Sequence, residues 1–254
     1  MEHLIGITLA LIFGAIFGSY STLFAYRLPR GESCFGRYFG PKSRCPKCES
    51  NILTRDLIPL INWVFTKGKC RKCGVKIPRI HFFIEISTAF LFVCTYLDFG
   101  FSEKFILVSL IAVALVILLA CEYTHNILPY QALNFLLVVG VAHRVLIDQS
   151  ILPMLLTLGI GILVSVIFYK LIFKKFPQFF IDQKHFFDYV KVLLIASLAM
   201  KFNAYLFYLV ALSTSFFFLN LAKIIGSRNS RGIGHIFLIP FIWVFCIIPN
   251  SVFL

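Results

Sequence analysis

Charged residues are scarce in this chain of 254 residues. Asp, Glu, Lys and Arg together make up 14% of it, whereas ordinary soluble domains carry about a quarter. Acidic residues are the scarcest, with 11 Asp and Glu against 24 Lys and Arg, while 59% of the residues are hydrophobic and 30 are Phe. This composition excludes an ordinary soluble globule and indicates a protein that lies mostly in lipid.

Two further absences narrow the class. The first apolar run, Leu4 to Tyr26, has no basic residues before it and no small-x-small cleavage pattern at its end. We therefore expect a retained helix rather than a signal peptide. The cysteines outside the loop motif described below are scattered and predict no disulfide framework; they are Cys34, Cys94, Cys121 and Cys246.

Long apolar runs dominate what remains. Counting runs near the length that crosses a bilayer predicts about eight helices, and we expect an all-α polytopic membrane protein. The predicted helices are 4–26, 81–97, 105–122, 130–147, 151–173, 188–201, 203–222 and 234–254. The predicted domains are a first transmembrane helix (1–26), a polar loop (27–80) and a bundle of about seven helices (81–254).

The basic residues are concentrated in that loop. Thirteen of the 24 Lys and Arg lie between Arg27 and Arg79, the pattern of a loop held on the cytoplasmic side. A net charge of +13 would suggest nucleic acid in a soluble protein. Here the basic segment is short and lies between membrane spans, so we expect no nucleic-acid partner and take membrane lipid as the surroundings.

Four cysteines in the loop form the strongest motif. Cys45 and Cys48, then Cys70 and Cys73, make two Cys-x-x-Cys pairs separated by 21 residues. This spacing suits four thiolates around one tetrahedral zinc ion, with no position left for a catalytic water. We predict a structural zinc site, with a redox-active or empty site as the alternative.

Acidic residues at helix ends are the second signal. Glu85, Glu122 and Asp188 fall at the predicted cytoplasmic ends of membrane helices, where an ionisable group is a functional candidate. Two carboxylates brought together could act as acid and base on a water molecule. The alternative is that each is solvated among lipid headgroups or paired with Arg79, Lys184 or Lys191. In the first helix, the Gly14-x-x-x-Gly18 spacing would let a neighbouring helix approach closely; the alternative is two chance glycines in a membrane helix, which tolerates glycine.

The order of these motifs resembles the type IV prepilin peptidases, which are bacterial inner-membrane aspartic proteases. The resemblance is carried by segments in the first helix, around each cysteine pair and at the entry to the second helix. They are Gly18-Ser-Tyr-Ser-Thr-Leu-Phe-Ala-Tyr-Arg-Leu-Pro29, Ser43-Arg-Cys-Pro-Lys-Cys48, Ile58-Pro-Leu-Ile-Asn-Trp63, Gly68-Lys-Cys-Arg-Lys-Cys73 and Phe83-Ile-Glu85.

The resemblance implies a catalytic pair. The first family aspartate precedes a proline by seven residues, and Glu122 stands there in Cys121-Glu-Tyr-Thr-His-Asn-Ile-Leu-Pro129. The second lies in a Gly-x-Gly-Asp-x-Lys pattern, and Asp188 takes its place in His185-Phe-Phe-Asp-Tyr-Val-Lys191, without the glycines. Asp182 is the alternative to Asp188, because it keeps the Asp-x-Lys spacing.

The resemblance further implies a multi-pass protein of the bacterial inner membrane that cleaves the leader of prepilins or pseudopilins at the cytoplasmic face. In bifunctional members, the new terminus is N-methylated from S-adenosylmethionine, and the resemblance points to the zinc-bearing loop and Glu85 for this step. The alternative is a non-proteolytic relative whose pair of carboxylates has lost its catalytic function and which acts in prepilin binding or assembly. Neither the oligomeric state nor the residues that bind a cofactor follow from the sequence.

Overall fold

The architecture is seen in a computed structural model of the chain. It describes residues 1–34, 43–147, 151–170, 183–224 and 234–247. Within these ranges the chain is helical and forms no strand, only two isolated bridges in the loop. The chain divides into two compact units, Met1–Phe101 and Ser102–Leu254.

The first unit is built on a helical hairpin. Helix α1 (Glu2–Arg27) and helix α3 (Arg79–Phe99) pack against each other in antiparallel directions. A Cβ added at Gly14 would lie 2.7 Å from Ala89 Cα, and one added at Gly18 would lie 2.7 Å from Glu85 Cα. Only glycine permits this contact between backbones. The close approach predicted from the glycine spacing is confirmed.

The loop between α1 and α3 has structure of its own. It contains two 3₁₀ turns (Leu28–Arg30 and Thr54–Leu57) and the short helix α2 (Ile61–Phe65). These elements were not predicted from the sequence, because each is too short to show a helical periodicity.

The second unit is a helical bundle. Its elements are α4 (Glu103–His125), α5 (Tyr130–Ile147), α6 (Ile151–Phe168), α7 (Gln183–Ala199), α8 (Phe202–Ile224), α9 (Gly234–Ile242) and a π-helical segment (Trp243–Ile247). Among the described residues of this unit, α4 contributes more buried apolar side chains than any other helix; it packs on α5 and α9, while α7 packs on α5, α6 and α9.

The ends of α4 are well defined. The Ser102 hydroxyl accepts the Phe105 N–H at 3.3 Å and caps the N-terminus. At the other end, Asn126 adopts a left-handed conformation with φ 53°, and its N–H donates to the Glu122 carbonyl at 2.9 Å. This cap ends the helix one turn after Glu122 and fixes that residue in the last turn.

The prediction of a helical membrane protein is confirmed. Four helical segments among the described residues are long and apolar enough to cross a bilayer. They are Glu2–Arg30, Arg79–Phe99, Glu103–His125 and Ile151–Phe168. All eight predicted helices exist as helices in the described ranges, but eight membrane spans remain a prediction, as does the division into domains at residues 26 and 80.

One helix boundary was predicted wrongly. Helix α7 begins at Gln183 and not at Asp188, because its first turn carries polar side chains and so does not belong to the apolar run. Asp188 therefore lies in the second turn of α7. Residues 171–173 and 248–254 of two predicted helices lie outside the described residues.

Candidate functional site

The two cysteine pairs lie on two copies of one backbone turn. In each copy, the first cysteine donates its N–H to the carbonyl five residues later and accepts at its own carbonyl from the N–H four residues later. An isolated bridge flanks each turn, between Arg44 and Asn51 and between Lys69 and Lys76. The partners of Cys45 are Ser50 and Glu49, and those of Cys70 are Val75 and Gly74.

The four thiols converge. The Sγ atoms of Cys45, Cys48, Cys70 and Cys73 all lie within 4.8 Å of one another, and those of Cys45 and Cys73 are 3.7 Å apart. A tetrahedral zinc ion with Zn–S bonds of about 2.3 Å requires sulfur–sulfur edges of about 3.8 Å. The thiols therefore fit one zinc ion, which they would hold with four thiolates and no open coordination position. The predicted ligand set is compatible with this geometry.

The thiols differ in how readily they lose a proton. A hydrogen bond with Ser50 lowers the pKa of Cys48 to about 6, and backbone hydrogen bonds from Cys73 and Lys72 lower the pKa of Cys70. At Cys73 a backbone bond from Val75 lowers the pKa, but burial and the neighbouring thiols outweigh it and raise the pKa to about 11. Binding of a cation would therefore release the protons that these crowded thiols retain.

The loop is tied to α3 by Glu85. Its Oε2 accepts the N–H of Leu60 at 2.7 Å. Leu60 is held at φ 60° and ψ −52°, and the Ile61 N–H donates to the Pro59 carbonyl across it at 2.6 Å. This is a γ-turn of the rare, strained kind. The contact gives Glu85 a structural task, which is to stabilise this turn immediately before α2.

Glu122 is buried in the second unit. The residue is 2% exposed, and its Oε1 accepts a hydrogen bond from the Tyr189 hydroxyl at 2.6 Å. A hydrogen bond to a buried carboxyl group is worth about 1.5 to 3 kcal/mol when the group is charged. This contact joins the last turn of α4 to the second turn of α7.

Asp188 lies immediately before Tyr189 and is 8% exposed. Its Oδ1 forms an ion pair with Lys191 Nζ at 2.8 Å, one turn further along α7. Pairing with Lys191 was one of the structural alternatives for this carboxylate, and the structure shows that pair. The ammonium is half exposed, so it satisfies the carboxylate while remaining in contact with the surroundings.

The fold thus brings together the two helix segments that carry Glu122 and Asp188. The ring of Phe186, one turn before Tyr189, stacks on Phe168 of α6 with centroids 5.4 Å apart. Asp182, the alternative to Asp188, lies outside the described residues. Tyr189 was not singled out from the sequence, where a tyrosine in an apolar helix is most simply a core residue.

Comparison with known protein families supports the resemblance seen in the cysteine loop. Residues 12–99 match the family described as the bacterial peptidase A24 N-terminal domain. This range contains both cysteine pairs and Glu85. The resemblance to the type IV prepilin peptidases is confirmed.

Relatives with curated names point the same way. The chain is similar to a prepilin leader peptidase/N-methyltransferase of Bacillus subtilis, with 32% identity over 132 residues (52% of this chain and 51% of the relative). A protein of that name from Vibrio cholerae is 32% identical over 115 residues (43% and 45%). A type 4 prepilin-like proteins leader peptide-processing enzyme of Escherichia coli is 34% identical over 89 residues (35% and 33%).

The chain spans about half the length of the first two relatives and a third of the E. coli enzyme. No solved structure matches it significantly. Glu122 and Asp188 lie outside residues 12–99, so their catalytic roles remain predictions, whereas the four cysteines lie inside the matched region.

Proposed function

We propose that the chain is a membrane aspartic endopeptidase that removes the leader from type IV prepilins or pseudopilins. The observation that carries this proposal is the hydrogen bond between Tyr189 and Glu122. It brings the end of α4 and the start of α7, the helix segments to which the family resemblance assigns the two catalytic carboxylates, to one buried place. The names of the relatives support the same reaction.

The different surroundings of the two carboxylates suit an acid and a base. Lys191 stabilises negative charge on Asp188, so we assign to Asp188 the acceptance of a proton from the attacking water. Glu122, which accepts a hydrogen bond from the Tyr189 phenol, would hold the proton that is delivered to the peptide group as the bond breaks. Two carboxylates with distinct environments can divide these tasks at one pH.

The substrate would reach this site through the membrane. Prepilins carry an apolar helix after a basic leader, so that helix would lie in the bilayer and present the scissile bond at the membrane surface. We place both carboxylates and the cysteine loop on the cytoplasmic face of a bacterial inner membrane. Support comes from the 13 Lys and Arg between Arg27 and Arg79, since cytoplasmic loops are enriched in basic residues.

The metal would be structural. Zinc bound by the four cysteines would stabilise the loop. It would hold no reactive water, because four thiolates complete its coordination. N-methylation with S-adenosylmethionine is proposed from the names of the relatives alone. The described residues show no site that we can assign to that cofactor.

A cleavage assay tests the proposal. The full chain, reconstituted in lipid vesicles, is incubated with a prepilin that retains its leader, and the products are resolved by mass. We expect processing by the native chain and loss of processing in both Glu122→Gln and Asp188→Asn. Glu103→Gln neutralises an exposed acid at the opposite end of α4 and should retain activity.

A non-proteolytic relative is the second candidate, and one observation favours it. Both carboxylates already have side-chain partners, Tyr189 and Lys191, as acids with a structural role would. In this case the chain would bind prepilins or assist their assembly without cutting them. Binding of a prepilin without processing by the folded, metal-loaded native chain would support this function and contradict the first.

A further inference from the structure

A basic groove lies beside the second cysteine turn, outside the sites described above. It has a volume of about 370 Å³ and lies entirely within the first unit. Its lining residues are Trp63, Lys67, Gly68, Lys69, Lys76, Ile77, Pro78 and Arg79. Four of these eight residues are cationic, and none is acidic.

The cations of the groove are available to a ligand. All four are exposed to solvent, and none has an ion pair within the described part of the chain. Nearby Arg71 differs, since it pairs with Asp56 at 2.7 Å. The positive charge of the groove is therefore uncompensated and favours an anion.

The wall of the groove is firmly packed. Trp63 stacks near Phe82 with ring centroids 4.8 Å apart and covers Gly68, where an added Cβ would lie 2.9 Å from the indole. Gly68 also has a φ of +64°, so both its conformation and its lack of a side chain are needed here. The side of the groove formed by Trp63 and Gly68 is therefore fixed by packing.

The position of the groove indicates which anion it meets. Pro78 and Arg79 line it, and Arg79 is the first residue of α3, a helix apolar and long enough to cross the bilayer. The groove therefore lies at the end of a span, at the depth of lipid headgroups, where Trp and basic residues concentrate.

The short helix α2 gives the same surface an apolar edge. Ile61, Val64 and Phe65 are 53%, 59% and 77% exposed, and Trp63 on the same helix lines the groove. An exposed apolar edge next to a cluster of cations is the arrangement of segments that lie in a membrane interface.

We propose that this groove binds the headgroup phosphate of an anionic phospholipid, while the apolar edge of α2 inserts among the acyl chains beside it. The cysteine loop would thereby be docked on the membrane surface. Basic pockets at the ends of membrane helices recognise anionic headgroups by this combination of charge and depth. The inference does not depend on the proposed peptidase activity.

Trp63 provides a direct test, because the chain has only two tryptophans. In the full, zinc-loaded chain with Trp243→Phe, Trp63 is the sole indole. Brominated phosphatidylglycerol or brominated phosphatidylcholine is titrated into this protein in a neutral detergent, and quenching of the indole is recorded. We expect the anionic lipid to bind at least about tenfold more tightly than the zwitterionic one.

Two charge-matched variants locate the site. Lys67→Gln/Lys76→Gln removes two cations of the groove and should abolish the preference for the anionic lipid. Lys47→Gln/Lys72→Gln removes two exposed lysines of the cysteine turns that do not line the groove and should retain it. Zinc content and helicity are measured for both, so that a folding defect is recognised.

Three results would overturn the inference. One is equal quenching by the two lipids in the protein with native lysines. Another is an equal loss of preference in the two charge variants. The third is complete competition by free glycerol phosphate at concentrations similar to those of the lipid, which would identify a soluble phosphate ligand in place of a membrane lipid.

Discussion

The hydroxyl of Tyr189 offers the sharpest perturbation of the carboxylate site. Tyr189→Phe removes one oxygen atom and with it the 2.6 Å hydrogen bond to Glu122, while the buried ring remains. Because Glu122 is assigned the proton in the reaction, the bond joins two neutral groups and contributes about 0.5 to 1.5 kcal/mol. If the bond positions Glu122 for catalysis, the loss corresponds to a roughly two- to tenfold fall in kcat.

The chain contains a matched control for this variant. Tyr205 is equally buried in the same unit, and its hydroxyl has no hydrogen-bond partner among the described residues. Tyr205→Phe deletes the same atom without breaking such a bond. We expect it to leave prepilin cleavage and the free energy of unfolding in detergent unchanged or slightly improved.

A double-mutant cycle completes this prediction. Cleavage and unfolding are measured for Tyr189→Phe, Glu122→Gln and the double variant, and the coupling free energy is taken from the deviation from additivity. Coupling of about 1 kcal/mol or more in unfolding is expected for contacting groups. Additive effects, or a Tyr189→Phe variant indistinguishable from Tyr205→Phe, would refute the role given to this hydrogen bond.

Three further predictions concern the first unit and its metal. Gly14→Leu should separate α1 from α3 and lower the free energy of unfolding by about 1 to 3 kcal/mol, since even a Cβ would lie 2.7 Å from the α3 backbone. Gly159→Ala is the neutral control, because a Cβ there would have nothing within 4 Å. Equal stability of these two variants would contradict the packing of α1 on α3. Cys45→Ser should lower zinc from one ion per chain towards zero by elemental analysis, whereas Cys34→Ser should retain it, and equal zinc content would exclude the ligand set. Acid should release the metal, because protons compete with it for the thiolates: the zinc detected by a chelating dye should rise as the pH falls, and zinc release that is independent of pH would contradict thiolate ligation.

The long apolar runs predicted the helices well. A helix whose whole circumference lies in protein or in lipid is apolar on every side, so its composition alone identifies it. The cysteine spacing predicted the convergence of the four thiols for a similar reason, because the spacing itself constrains the turn. Less visible was the repetition of that turn. Cys45 and Cys70 head two segments with the same hydrogen-bond pattern, but only a few residues are shared between them, and no internal repeat was predicted.

The tertiary contacts could not be predicted from the sequence. Nothing in the chain indicated that Tyr189 would donate to Glu122, because the partners lie 67 positions apart and the bond depends on how α4 and α7 meet. The anchoring of Leu60 by Glu85 escaped prediction as well, since a leucine gives no sign of a positive φ. The start of α7 was missed because the helix extends past its apolar run into a polar turn.

The most direct test of the central claim is the rate of prepilin cleavage by Glu122→Gln, Asp188→Asn and the double variant, measured as kcat/KM in the same vesicles. If the two carboxylates act on one water molecule, each single variant should lose nearly all activity and the double variant should be no worse than either, since residues that act as a unit are strongly non-additive. Substantial activity in one single variant, or losses that multiply in the double variant, would contradict a shared catalytic site.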